Sequence, residues 1–139
     1  MAVVIQRNMD LSKTAEYFKE SAGRDWKSAK VLFKSKRYDS ALFFCHLTLE
    51  KSLKYLVISK TNKQPPYTHR LLKLVSLAGL FASKEQSEHL KEVNTFNIAG
   101  RYDDHKLAFY KSCTKEFAEK YLKITDKLFL WIKKNYPKE

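Results

Sequence analysis

The chain has 139 residues, with 27 Lys and Arg against 15 Asp and Glu, which gives a formal net charge of +12. This length is typical of one domain that buries a core unaided, so we expect a single domain over residues 1–139 with its core at about 11–135. No apolar run is long enough for a membrane span, and Arg7 interrupts the apolar start too soon for a signal peptide. We therefore expect a cytoplasmic protein with no membrane partner.

The excess of positive charge suggests an anionic partner such as a nucleotide or RNA. Lys and Arg are distributed along the whole chain, so any basic surface must be assembled by folding. A lysine-rich exterior that keeps the protein in solution explains the same composition. Charge alone leaves both explanations open.

The two cysteines indicate neither a disulfide framework nor a metal site. Cys45 and Cys113 lie inside apolar helical patterns, without the paired spacing of a zinc site. The sequence also has no glycine-rich phosphate loop and no paired Glu-x-x-His motifs of a di-iron bundle. We expect two buried free thiols, no metal and no cofactor.

The first half of the chain predicts two long helices. The first runs from about Leu11 to Lys34, and the second from Arg37 or Tyr38 to about Lys60. In the first, apolar residues recur at spacings of three and four: Ala15, Phe18, Ala22, Trp26, Ala29 and Phe33. The second is apolar nearly all round, so we expect it at the centre of the bundle or against a second subunit.

The second half predicts three more helices. A loop over 61–67 is stiffened by two prolines, and Thr68 is the expected N-cap of a short helix closed by Gly79. Ser83 and Gln86 form a capping box that opens a fourth helix ending near Gly100. A seven-residue apolar repeat predicts the last helix, over about 112–135. The fold class is therefore all-α, an up-and-down bundle of four to five helices.

Polar residues on the second helix form a row within an apolar environment. His46, Glu50 and Lys54 follow one another at i, i+4 and i+8, and we interpret them as a hydrogen-bonded row in preference to a catalytic group. His69 follows the proline loop, where it either fixes the loop by hydrogen bonding to the backbone or binds an anion.

Five consecutive residues carry the most chemistry: Arg101, Tyr102, Asp103, Asp104 and His105. A guanidinium neutralises charge on phosphate and an imidazole moves a proton near neutral pH, so the two suffice for metal-free chemistry on a phosphodiester. The competing interpretation is a local knot of charges at a helix end. If the segment is helical, Arg101 and His105 share one face.

Four sequence blocks together resemble the HEPN domain (higher eukaryotes and prokaryotes nucleotide-binding), in the order found in that family. The blocks are Asp25–Ala29, Tyr38–Lys54, Pro65–Leu72 and Ala99–Asp103. The resemblance implies a bundle of four or five helices that dimerises. It also implies a minimal nucleotidyltransferase partner, the two forming a two-component, toxin–antitoxin-like system.

Many HEPN proteins are metal-independent ribonucleases that use an Arg followed, after about four to six residues, by a His. The resemblance implies that Arg101 stabilises the phosphate and that His105 assists attack by a ribose 2′-hydroxyl. Here only three residues separate the pair, and two of them are carboxylates. In related pairs of a HEPN protein and a nucleotidyltransferase, tyrosines near this motif accept a nucleotide group. The resemblance therefore makes Tyr102 a candidate acceptor of such a group.

Three hypotheses follow for the function. The first is a HEPN homodimer that binds a nucleotide, an RNA or a partner nucleotidyltransferase through Arg101 and its neighbours. The ligand-binding candidates are Arg101, Tyr102, Asp103, His69 and Lys106. The second is a ribonuclease toxin with Arg101 and His105 as catalytic residues. The third is a purely structural oligomerisation module in which residues 101–105 form an internal salt-bridge knot.

Overall fold

The computed structural model describes the backbone of residues 2–138 and the side chains of residues 10–138. Its described part is helical, without strands, so the predicted all-α bundle is confirmed. Residues 2–138 form six helices rather than four to five. They are α1 (Ala2–Lys34), α2 (Tyr38–Thr61), α3 (Leu71–Leu77), α4 (Lys84–Asn94), α5 (Asp103–Ser112) and α6 (Lys115–Lys134).

Helix α2 is the centre of the bundle. It packs against each of the other five helices, most extensively against α1 and next against α6. Buried residues lie on every side of it, including Leu42, Leu49, Leu53 and Leu56, none of which is exposed. The apolar character of this sequence is thus explained by burial within one copy of the chain.

Helices α1 and α2 form an antiparallel hairpin joined by a short turn. Lys36 adopts a left-handed backbone conformation in this turn, with φ 63°. Across the hairpin, Lys51 forms an ion pair with Asp25 at 2.7 Å and donates a hydrogen bond to Ser21 at 2.8 Å. Helix α1 begins at Ala2, earlier than the predicted start near Leu11, because neither glycine nor proline interrupts residues 2–10.

Capping explains where several helices begin. The predicted capping box is confirmed: Gln86 N donates to Ser83 Oγ at 3.0 Å, and Ser83 N donates to Gln86 Oε1 at 2.9 Å. The prediction for Thr68 is wrong, since its hydroxyl accepts from Arg70 N in a local turn at 3.2 Å and the N-cap of α3 is Arg70. The carboxamide of Asn94 instead caps α3 from another helix, accepting from Leu71 N at 2.8 Å.

Two boundaries in the second half also differ from the prediction. Helix α4 ends at Asn94 and not near Gly100, and the last helix begins after Thr114, whose hydroxyl accepts from Phe117 N at 3.1 Å. Thr114 therefore caps α6 and does not lie within it, although the predicted helix included residue 114. Cys45 and Cys113 are buried free thiols, as predicted.

Within residues 2–138 no helix is long and apolar enough to cross a membrane.

Candidate functional site

The segment that carries Arg101 is a loop between α4 and α5 with a firm anchor at its start. Phe96 is 1 % exposed, and its ring lies 5.2 Å from that of Tyr121 and 5.8 Å from that of Phe117. Beyond this anchor the loop turns back: Arg101 N donates to the carbonyl of Ile98 at 3.1 Å. Gly100 has φ +78° in this turn, a conformation that other residues adopt with strain.

Helix α5 was not predicted as a helix, and it holds His105 in its first turn. Tyr102 occupies the N-cap position, and Asp103 and Asp104 follow in the first turn, where negative charge favours a helix start. The Asp104 carboxylate accepts from His105 N at 2.9 Å. Phe109 attaches the helix to the core, with its ring 5.8 Å from that of Phe96.

Arg101 and His105 line the same surface groove. The groove has a volume of about 450 Å³ and is open to solvent. Its other lining residues are Thr95, Ala108, Phe109 and Ser112. Arg101 precedes α5 by two residues, and His105 lies on the helix face that continues through 108, 109 and 112.

The predicted salt-bridge knot is not present among the described residues. No ion pair within 4.0 Å joins Arg101 to Asp103, to Asp104 or to any other carboxylate of residues 10–138. All four side chains from Arg101 to Asp104 are exposed. The guanidinium is therefore available to an external anion.

The chain matches the family model described as "HEPN domain" over residues 15–136. It belongs to the HEPN family. A crystal structure of the protein TT1696 from Thermus thermophilus is similar, with a TM-score of 0.72 and 23 % sequence identity. The match covers 88 % of this chain and 98 % of that one, and at this identity it shows a shared fold. Comparison with curated proteins gave no match.

Tyr102, Asp103 and Lys106 are neighbours of the groove in this HEPN protein and do not line it. Each is exposed, Tyr102 by 81 %. The Tyr102 ring meets the imidazole of His105 edge to face at 6.4 Å between centroids. The structure thus brings two of the candidate residues, Arg101 and His105, into one groove and leaves three beside it.

His69, the remaining candidate, takes part in a different cluster. Its Nδ1 donates to Glu50 Oε1 at 2.8 Å, and the other oxygen of this carboxylate accepts from Lys54 Nζ at 3.1 Å. His46 Nε2 donates to the backbone carbonyl of His69 at 3.2 Å. Of the predicted row on α2, Glu50 and Lys54 are hydrogen-bonded to one another, whereas His46 Nε2 lies 3.8 Å from Glu50 and bonds the loop instead. The additional partner of Glu50 is the loop histidine, whose side chain binds this carboxylate and not the backbone.

Burial makes His46 a poor proton acceptor. The residue has no exposed surface, and desolvation lowers its pKa, against a smaller opposing effect of the Glu50 carboxylate. Nδ1 of His46 has no hydrogen-bond partner among residues 10–138. The buried imidazole supports the loop through its hydrogen bond to the His69 carbonyl.

Four groove residues were not found from the sequence: Thr95, Ala108, Phe109 and Ser112. For the three residues on α5 the signal was their helical spacing with His105, at 108, 109 and 112, which is recognisable once 103–112 is assigned as a helix. The described residues contain no group of three or more His, Cys, Asp or Glu side chains placed to hold a metal ion.

Proposed function

We propose that this HEPN protein binds a phosphate-bearing ligand, a nucleotide or an RNA, in the groove at Arg101. The observation that carries the proposal is an exposed Arg101 without an ion pair among the described residues, lining one open groove with His105. A guanidinium offers up to five N–H donors in a planar fork that matches phosphate oxygens. The net charge of +12 adds a long-range attraction for polyanions.

The protein acts, in this proposal, as a homodimer together with a minimal nucleotidyltransferase in a two-component, toxin–antitoxin-like system. The support for both partners is membership of the HEPN family over residues 15–136. Purification of the protein from cells that also express a minimal nucleotidyltransferase from the neighbouring gene tests the pairing. Elution of the two proteins as one complex is the expected result.

A metal-independent endoribonuclease is the second candidate function. Its specific support is that Arg101 and His105 line one groove in spite of the short spacing. In this reaction the 2′-oxygen of a ribose forms a bond to the adjacent phosphorus and His105 accepts the 2′-hydroxyl proton. The bond to the 5′-oxygen breaks, and this oxygen leaves as a hydroxyl after taking a proton from water. Arg101 stabilises the extra negative charge on the phosphorane oxygens. Asp103 and Asp104 oppose this reaction by repelling the RNA backbone.

One experiment tests both candidates. Labelled single-stranded RNA is mixed with the protein in excess EDTA, and bound RNA and cleaved RNA are measured separately. We expect Arg101→Ala to weaken RNA binding by about ten- to a hundred-fold, because a charge-assisted contact to phosphate contributes about 1.5–3 kcal/mol. Arg24→Ala removes the same charge from an exposed position on α1 and serves as the matched control.

The outcomes separate the hypotheses. Cleavage that survives EDTA and is lost in His105→Ala, but not in His89→Ala, establishes the ribonuclease. Binding without cleavage leaves the binding function. Equal RNA affinity of the Arg101→Ala and Arg24→Ala variants would remove the groove as the binding site and favour a structural module.

A further inference from the structure

A second cleft flanks α5 at the opposite side of the helix from the Arg101 groove. Its volume is about 260 Å³. Three segments contribute to its lining, namely the α1–α2 turn, the start of α2 and the end of α5. The lining residues are Lys36, Tyr38, Asp39, Tyr110, Lys111 and Cys113. At about 100° per residue, positions 110 and 111 face away from the side of α5 that carries His105.

We propose that this cleft is a nucleobase-binding subsite for guanine in single-stranded RNA. Tyr110 stacks on the base, Asp39 accepts hydrogen bonds from its edge, and Lys36 and Lys111 contact the flanking phosphates. The inference rests on the proposed function, since it assigns a base to an RNA whose backbone is held at Arg101.

The two tyrosines are suited to stacking a base. Tyr110 is 59 % exposed, and an aromatic ring left in water at the mouth of a cleft is a ready stacking surface. Tyr38 is half-buried, and its ring is held by that of Phe33 at 5.5 Å between centroids. The Tyr38 side of the cleft is therefore fixed before any ligand binds, and the exposed Tyr110 ring on the other side is free to adjust.

The charged residues of the cleft suit two parts of an RNA, its phosphate backbone and the hydrogen-bonding edge of a base. Lys36 and Lys111 are exposed, and neither forms an ion pair within the described part of the chain. The two lysine ammonium groups attract phosphate, whereas the negatively charged Asp39 carboxylate repels it. A carboxylate in a site for a polyanion needs another role, and accepting N–H groups of a base is one that its chemistry allows.

Asp39 has an acceptor to spare. Its Oδ1 is shielded from solvent and has no hydrogen-bond partner among residues 10–138. The carboxylate lies near Cys113, which also lines the cleft. Burial first and the Asp39 charge second raise the pKa of this thiol to about 11. An unpaired buried acceptor is costly, so a donor from a ligand would stabilise it.

Guanine is the base that fits a carboxylate acceptor. Its Watson–Crick edge presents two adjacent N–H donors, one for each oxygen of a carboxylate. Asp39 meets both donors when its side chain turns to bring the shielded Oδ1 into the cleft. Adenine and cytosine each place a ring acceptor beside the amino donor, and uracil flanks its single N–H with two carbonyls. Each of those edges sets a lone pair against the carboxylate.

The two clefts are lined by neighbouring residues at the end of α5. Ser112 lines the Arg101 groove, and its chain neighbours Lys111 and Cys113 line the second cleft. A single strand that leaves the groove at Ser112 therefore reaches the second cleft by crossing the last turn of the helix.

Fluorescence anisotropy with two labelled RNA strands tests the subsite. One strand is a short oligouridylate, and the other is the same strand with one internal guanosine. We expect the wild-type protein to bind the guanosine strand about ten-fold more tightly, in line with the discrimination of a bidentate base contact. Asp39→Asn replaces one acceptor by a donor and should abolish this preference.

Two further variants complete the design. Tyr110→Ala should weaken binding of the guanosine strand by about ten-fold through loss of stacking. The matched control is Tyr17→Ala, which removes a tyrosine of similar exposure, 55 %. Tyr17 lies far from the cleft, about 25 Å along α1 from Lys34, the last residue of the helix before the turn that carries Lys36. This control should leave the affinity for both strands unchanged. Thermal melts of each variant establish that the fold is retained.

The outcomes distinguish this inference from the proposed function. Equal affinity of the wild-type protein for the two strands, or a guanosine preference that survives Asp39→Asn, overturns the subsite. If Arg101→Ala still weakens both strands in that case, the proposed function stands. Absence of binding to either strand by the wild-type protein overturns both.

Discussion

Glu50 shows how a single buried carboxylate organises part of this molecule. It is 5 % exposed, and its two oxygens accept from Lys54 on its own helix and from His69 on the following loop. A buried charge is tolerated when it is paired and hydrogen-bonded, and here one partner comes from each segment. The loop that carries His69 is thereby fixed to α2, and His46 adds a second attachment by donating a hydrogen bond to the backbone carbonyl of His69.

His46 should make the stability of the protein depend on pH. Its folded-state pKa lies below the ordinary value of 6.5 because of burial, so the unfolded chain binds a proton that the folded protein does not. The resulting stabilisation is present above 6.5 and is lost as the pH falls through the lowered pKa, by up to about 1.4 kcal/mol per pH unit.

Urea unfolding at several pH values measures this loss. His46→Gln keeps an N–H donor for the His69 carbonyl and cannot be protonated, so its free energy of unfolding should fall less steeply below pH 6.5. Lys54, Glu50 and His69 face the same imidazole and are present in both proteins. Parallel pH profiles for the two proteins would show that His46 is not the titrating group.

At the scale of elements, α5 differs from the rest of the bundle. It has no fully buried residue, and its half-buried Phe109 contacts the ring of Phe96. Leu107 and Tyr110 on its outer side are 52 % and 59 % exposed. A helix held by so little apolar contact opens locally more readily than the central helices do.

Phe109→Ala should release α5 without unfolding the bundle. The substitution removes the aromatic contact with Phe96 and should cost roughly 1–3 kcal/mol, less than for a fully buried ring. Amide hydrogen exchange within 103–112 should become much faster, while exchange in α2 stays slow. Leu107→Ala, on the exposed side of the same helix, is the control and should leave these rates unchanged. Unaltered exchange in Phe109→Ala would mean that other contacts hold α5.

At the scale of the whole molecule, the charge of +12 acts on every association of the protein. Two copies of the chain repel one another, and salt screens this repulsion. In our proposal RNA is instead attracted, and salt should weaken its binding because counterions are released from the phosphates. Dimerisation and RNA binding should therefore respond to salt in opposite directions.

Sedimentation and RNA titrations over a range of salt concentrations measure the two responses. We expect the dimer dissociation constant to fall as salt rises, while the RNA dissociation constant increases with a logarithmic slope of about 0.7 per phosphate contacted. Arg101→Ala should reduce that slope by about one contact and leave the salt dependence of dimerisation unchanged. RNA affinity that does not depend on salt would exclude the phosphate-directed mode of binding.

The sequence by itself determined the fold class, the two long helices of the first half, the capping box at Ser83 and the polar row on α2. Each depends on residues at most a few turns apart, for which helical spacing predicts the geometry. Helix α5 and the groove were decided by the tertiary structure. The pattern of 103–112 is weak, and its helix forms against Phe96, whose ring contacts aromatic rings of α5 and α6. The same holds for the contact of His69 with Glu50, 19 residues away, because partners distant in sequence meet only when packing brings their elements together.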